Sequence, residues 1–165
     1  MTSSSLVVSN AGPLITLAKI QRPQLLKDLF GHIVIPRAVF EEVVLQGAGE
    51  PGAEETRSAG WIETRSAADD LSVAVLRESL GAGESEAIVL AQELGADLLL
   101  LDDALARRKA GRLGLKVMGT LGVLLLAKQR GYLEMVKPIL SELQQTDFRA
   151  STRVYEEVLV RAGES

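Results

Sequence analysis

The stretch "GADLLLLDDALARR", residues 95–108, decides the fold. Leu98, Leu99, Leu100 and Leu101 run without a break and stop at Asp102 and Asp103. A strand with one wet face alternates apolar and polar residues, whereas a strand covered on both faces need not. The leucines therefore predict a strand buried on both sides. A buried strand that ends in a pair of carboxylates needs a second explanation, and two compete. One aspartate can cap the helix that starts near Ala104, with both favoured at its positive end. Alternatively, the pair forms part of a cation site.

The flanking sequence repeats the strand-then-helix rhythm. "LVV" (6–8) reads as a first strand, followed by a helix in "NAGPLITLAKI" (10–20). "RPQLLKDLF" (22–30) is a second helix with Pro23 in its first turn. "HIVIP" (32–36) is a strand, and "RAVFEEVVLQ" (37–46) carries Val39, Phe40, Val43 and Val44 at helical spacing. "GAGEPGAEE" (47–55) reads as a flexible loop, "WIETR" (61–65) as an edge strand and "DDLSVAVLRESL" (69–80) as a helix. "GESEAIVLAQELG" (83–95) is a helix stopped by Gly95. After the leucine strand come a helix over 103–114, a strand "KVM" (116–118) and a helix over 120–131. Two more helical patterns follow, around 133–145 and 151–161. Strands separated by helices predict a three-layer α/β/α domain around a central, mainly parallel sheet. The domain is expected over 1–150. Residues 151–165 form a C-terminal helix that belongs to the same unit or to a dimer contact.

Composition narrows the chemistry. The 165 residues are 47% hydrophobic, enough for a real core. No apolar run approaches the roughly 20 residues of a membrane span. The first residues have neither a basic start nor a long apolar stretch, so no signal peptide is expected. The chain has no cysteine, which fits a reducing cytoplasm, and its net charge is −4. That sign argues against a protein that only coats nucleic acid. The single histidine, His32, excludes a His-rich zinc site and disfavours a serine–histidine triad. Hydrolytic chemistry would have to rest on carboxylates.

Ligands of such sheets bind beyond the carboxyl ends of the strands. Asn10 follows the first strand there, and Asp102 and Asp103 follow another. Glu84 and Glu86 open a helix that is otherwise apolar on nearly every side. The helix dipole accounts for them, yet carboxylates at a buried helix start need a partner such as a divalent cation. Glu41 and Glu42 flank opposite edges of their apolar stripe, and periodicity does not choose which turns inward. "GAGEPG" (47–52) matches a dinucleotide-binding pattern but follows a helix instead of a strand, so it reads as a loop. Acids at 42, 86 and 102–103 with an amide at 10 make a hard-oxygen set suited to Mg²⁺ or Mn²⁺. Thr120 starts a helix at another strand end; it reads first as an N-cap, and otherwise as a hydroxyl near a metal or phosphate. Arg107, Arg108, Lys109 and Arg112 crowd one helix, either as a solvated face or as contacts for an RNA backbone.

"VVSNAGPLI" (7–15), "IPRAVFEEV" (35–43), "ESEAIVLAQELGADLLLLDD" (84–103) and "GTLG" (119–122) together resemble a PIN domain, the fold of VapC-type toxin ribonucleases. The resemblance runs from Val7 to about Gly131 and is nearest a branch in which "SN..PLI" replaces the usual aspartate opening. It implies a cluster of acids that binds Mg²⁺ or Mn²⁺. The family's first acid falls on Asn10, its helix glutamate on Glu42, its next acid, before "AI", on Glu86, and its strand-end aspartate on Asp102. A further acid often follows two residues later. That place is Ala104, for which Asp103 can stand in. The implied metal ligands are Glu42, Glu86, Asp102 and Asp103, and Asn10 adds a carbonyl oxygen without charge. The implied activity is that of a metal-dependent endoribonuclease of the toxin–antitoxin kind, weakened by Asn10. Its substrate would be RNA, its partner a small antitoxin protein, and its assembly a homodimer. "LGVLLLAKQRGYL" (121–133) serves such an interface or the core equally well. The alternative is a PIN scaffold without catalysis that binds RNA or a protein.

Overall fold

In a computed structural model the chain is described over residues 5–164. Strand β1 (Val7–Ser9) leads into α1 (Ala11–Lys19), and α2 (Leu25–Phe30) precedes β2 (Ile33–Pro36). Helix α3 (Arg37–Phe40) widens into a π-helical turn over Glu41–Gln46. Then come α4 (Ala53–Ser58), β3 (Ile62–Arg65), α5 (Asp70–Leu76), α6 (Ala82–Leu94), β4 (Leu98–Leu100), α7 (Ala104–Arg112) and β5 (Val117–Met118). Helices α8 (Thr120–Gln129), α9 (Lys137–Gln144) and α10 (Thr152–Arg161) complete the chain.

The five strands form one sheet in the order β3-β2-β1-β4-β5, and every pairing is parallel. The leucine run shows why it does not alternate. Successive side chains of a strand point to opposite faces. Leu99 and Leu101 enter the core on one face, with Val8, Val34, Ile88 and Leu90. Leu100 enters the core on the other, with Val7, Ile33, Ile35 and Leu124. Leu99, Leu100 and Leu101 are all fully buried. Helices cover both faces, giving the three-layer α/β/α fold.

Several expectations change in detail: α2 starts at Leu25, so Pro23 precedes it instead of sitting in its first turn, and α5 ends at Leu76, short of the expected 80. The loop expected over 47–55 is partly helical. Gly52, at φ 97°, turns the chain into α4, and its N–H donates to Glu55 Oε1 at 3.0 Å. The pattern around 133–145 yields a shorter helix, α9, with a proline in its first turn. In the tail, Tyr155 and Val158 of α10 are buried in the same core as Leu124 of α8. Glu164 clasps this end. It accepts from Lys128 Nζ at 2.8 Å, Val136 N at 2.7 Å and Lys137 N at 2.9 Å. Partial burial pushes its carboxyl upward, but these donors outweigh that and hold it at about 2.

Candidate active site

The strand order creates the site. From β1 the chain steps outward to β2 and β3, then returns to the other side of β1 to lay down β4 and β5. The reversal lies between β1 and β4, where a crevice opens at their carboxyl ends. Asn10 leaves β1 there, its N–H bound to Leu100 O at 2.9 Å. Asp102 leaves β4 beside it. A cleft of about 300 Å³ forms at this point, and its polar lining includes Asn10, Glu42, Glu84, Asp102, Asp103 and Lys19.

Asn10 is the least satisfied residue in the cleft. It occupies the N-cap position of α1, yet its side chain caps nothing. The residue is 5% exposed, and its Oδ1 is buried without a hydrogen-bond partner. Its Nδ2 donates to Glu84 Oε2 at 3.4 Å. A Cβ placed on Gly83 would lie 3.0 Å from Asn10 Oδ1 and 3.2 Å from Glu42 Oε1. Both oxygens therefore flank one point, and a side chain at Gly83 would press on them. Glu42 is exposed as a residue, but its Oε1 lies against Gly83. That partial burial, and then the charge of Glu84, raise its carboxyl above the ordinary glutamate range. The π-helical turn begins at Glu41, immediately before it; such turns often mark functional positions in helices.

Asp102 is held rigidly. Its Oδ1 accepts from Thr120 N and its Oδ2 from Thr120 Oγ1, both at 2.7 Å. Gly119, the N-cap of α8, has no side chain to bind the helix start, and Asp102 does so from β4. Thr120, fully buried, is thus the first residue of α8 and the anchor of Asp102, not the cap itself. A Cβ on Gly12 or on Gly119 would come within 2.9 Å of this carboxylate. Asp103 is the N-cap of α7, accepting from Ala106 N at 2.9 Å, and it also faces the cleft.

Glu86 does not join this cleft. Its Oε1 accepts from Ala38 N at 2.7 Å and its Oε2 from Ala67 N at 2.9 Å. It ties the start of α3 to the segment after β3. Residues two apart on a helix point about 200° away from each other, so Glu84 and Glu86 cannot face the same crevice. Glu84 takes the place expected for Glu86. Its Oε1 also accepts from Gly81 N at 2.9 Å. Glu41 turns to the Glu86 side and accepts from Arg37 Nε at 3.3 Å, which leaves Glu42 for the cleft. Of the four basic residues on α7, only Arg107 approaches Asp102, lining an adjoining groove with it. Arg108 and Arg112 are exposed, Lys109 is half-buried, and none of these three lines either space.

Three cleft residues carried no mark in the sequence. Lys19 closes the face of α1 that faces the cleft, and its Nζ pairs with Asp147 Oδ1 at 2.6 Å. That pairing, by hydrogen bond and by charge, holds the Asp147 carboxyl below the usual range. Phe148 follows at the rim. A lysine at i+7 from Gly12 was the only available signal; the tail residues are brought in by tertiary packing alone.

For a divalent cation, the set fits in kind: the amide oxygen of Asn10 and the carboxylates of Glu42 and Glu84 are hard donors, and Asn10 Oδ1 lacks any donor of its own. Among the described residues, no three acids or histidines stand close enough to grip one ion by themselves.

The sequence matches the family model described as DUF3368, a PIN domain, over residues 6–164. The chain belongs to this PIN-domain family. No match was found among curated proteins. Among solved structures, it is similar to a PilT N-terminus domain protein from the hyperthermophilic archaeon Sulfolobus solfataricus P2. The similarity has a TM-score of 0.54 and 21% identity over 72% of this chain and 89% of that one. At that identity the likeness speaks to fold alone. The PIN domain is in general a nuclease fold, divalent-metal dependent and often RNA-binding.

Proposed function

We propose that the chain is a metal-dependent endoribonuclease whose cation rests on Asn10, Glu42 and Glu84. The observation that carries this is the buried, partnerless Oδ1 of Asn10 beside Glu42 Oε1 at the sheet's switch point. A bound Mg²⁺ or Mn²⁺ would lower the pKa of a water and offset the charge of a phosphodiester. Glu42 Oε1, which lies beside Asn10 Oδ1 at Gly83, would supply the charged oxygen that holds such an ion against the amide. Thr120 fixes Asp102 in one orientation at the crevice wall. Asp103 adds negative charge at the rim, and Lys19, paired with Asp147, brings a positive charge to the cleft lining. We assign the substrate as RNA, with Arg107 as its first basic contact, and Arg108, Lys109 and Arg112 as outlying ones. In a toxin–antitoxin setting, a small antitoxin protein would block this cleft, and the toxin would act as a homodimer in the cytoplasm.

One observation favours a second reading. Both oxygens of Asp102 are committed to Thr120, as in a purely structural cap. On that reading the chain is a PIN scaffold that binds RNA or a protein without cutting. Incubating labelled RNA with the protein and Mn²⁺ separates the two. The nuclease reading expects cleavage that is lost in Glu84→Gln and raised in Asn10→Asp, which restores a charge to the set. Intact RNA with both wild type and Asn10→Asp leaves the binding module.

A further inference from the structure

A second space opens beside the acidic cleft. It is a groove of about 590 Å³ between β5, α8 and α10, and it shares Asp102 and Phe148 with the cleft. Its floor is apolar, with Leu121 and Leu125 of α8 and Val154 of α10. Three arginines line it: Arg107 from α7, Arg149 from the segment before α10, and Arg161 from the last turn of α10. Among the described residues Arg107 makes no ion pair, and Arg161 pairs with exposed Glu157, which also lines the groove, at 3.1 Å.

Phe148 stands where the two spaces meet, and the structure holds it there. Its N–H donates to Thr146 Oγ1 at 3.1 Å, and the neighbouring Asp147 is tethered across the cleft to Lys19. The ring is only partly buried.

We infer that this groove is the track for one strand of RNA: Phe148 stacks a base beside the acidic cleft, and Arg149 and Arg161 hold phosphates along the groove. The inference rests on the RNA-cleaving reading for its polarity toward Asp102. The groove's own features select the occupant. Arginines lining an apolar floor, with an aromatic ring where the groove meets the cleft, suit unpaired bases with a phosphate backbone. A duplex keeps its bases stacked internally and has no use for the ring. An acidic peptide would satisfy the arginines but would gain little from Phe148.

The test measures binding of a fluorescein-labelled 12-nucleotide single-stranded RNA, and of a hairpin duplex of matched length, by anisotropy in Ca²⁺. Phe148→Leu keeps the apolar packing and removes the stacking face; it is expected to weaken single-strand binding about tenfold. Arg149→Ala and Arg161→Ala together are expected to reduce the slope of log K against log salt by about 1.4, since each phosphate contact on a single strand contributes about 0.7. Lys116→Ala, at the opposite, amino-terminal edge of the sheet, is expected to change neither. Equal binding by wild type and the groove variants, preference for the duplex, or no RNA binding by wild type overturns the inference. The two proposals separate cleanly. Groove-dependent binding without Mn²⁺-driven cleavage removes the nuclease reading alone. Cleavage unaffected by all three groove substitutions removes the groove alone.

Discussion

Helix α6 carries two carboxylates two residues apart that meet opposite fates. Glu86 finds two backbone donors, Ala38 N and Ala67 N, and spends its charge on joining segments of the fold. Glu84 turns to the other side, where Glu42 and Asn10 bring more acceptors than donors. Burying hydrogen-bonded charge is tolerable, whereas a buried acceptor without a donor costs stability. Glu86 needs nothing further. In the Asn10 cluster the amide oxygen Oδ1 stays buried without a partner. The contrast teaches that in this sheet an acid is read by what answers it, not by its position in a motif.

The largest effect should come from breaking the satisfied side. Glu86→Ala leaves two backbone N–H groups without their acceptor, and we expect a loss of about 3 kcal/mol in urea unfolding. If stability is unchanged and only cleavage disappears, Glu86 belongs to the chemistry and the contrast collapses. Glu84→Gln should do the reverse. Cleavage should drop about a hundredfold, since metal-site substitutions cost at least what outer partners do. Unfolding free energy should move by less than about 1 kcal/mol.

Acid sharpens the contrast through two groups of opposite sign. Glu164, held at about 2 when folded, stabilises the protein above the ordinary glutamate range. That contribution should be lost as pH falls from about 4.3 toward 2, and Glu164→Gln should flatten the decline in melting temperature. Glu42 is raised, so without metal its contribution to stability fades as pH rises through its folded value. In Glu42→Gln the melting temperature should no longer fall over that interval. The smallest effect concerns Gly83. Alanine favours a helix by about 1 kcal/mol over glycine, but its methyl would press on Asn10 Oδ1 and Glu42 Oε1. Gly83→Ala should keep its melting temperature and lose a few-fold in Mn²⁺ affinity by titration. An unchanged affinity would show that the two oxygens do not share a ligand.

Much of this was legible in the sequence, for physical reasons. Leu98–Leu101 announced a doubly covered strand because no polar residue interrupts them, and the strand-to-helix alternation implied a parallel sheet. Asn10 and Asp102 could be placed at one edge because a parallel sheet puts every strand's carboxyl end on the same side. Helix phase was not legible. At 84 and 86, as at 41 and 42, a one- or two-residue step swings a side chain to another face, and only packing against β1, β2 and α3 sets the choice. Helix α4 was hidden because glycines and a proline precede it. Asp147 and Phe148 come from far along the chain, and no local pattern marks them.

Anomalous diffraction from a crystal soaked in Mn²⁺ decides whether Asn10, Glu42 and Glu84 share one cation. We expect a single peak within coordination distance of Asn10 Oδ1, Glu42 Oε1 and a Glu84 oxygen, with Glu86 still bound to Ala38 and Ala67. A peak at Glu86, or none at Asn10 in crystals saturated with Mn²⁺, would contradict it.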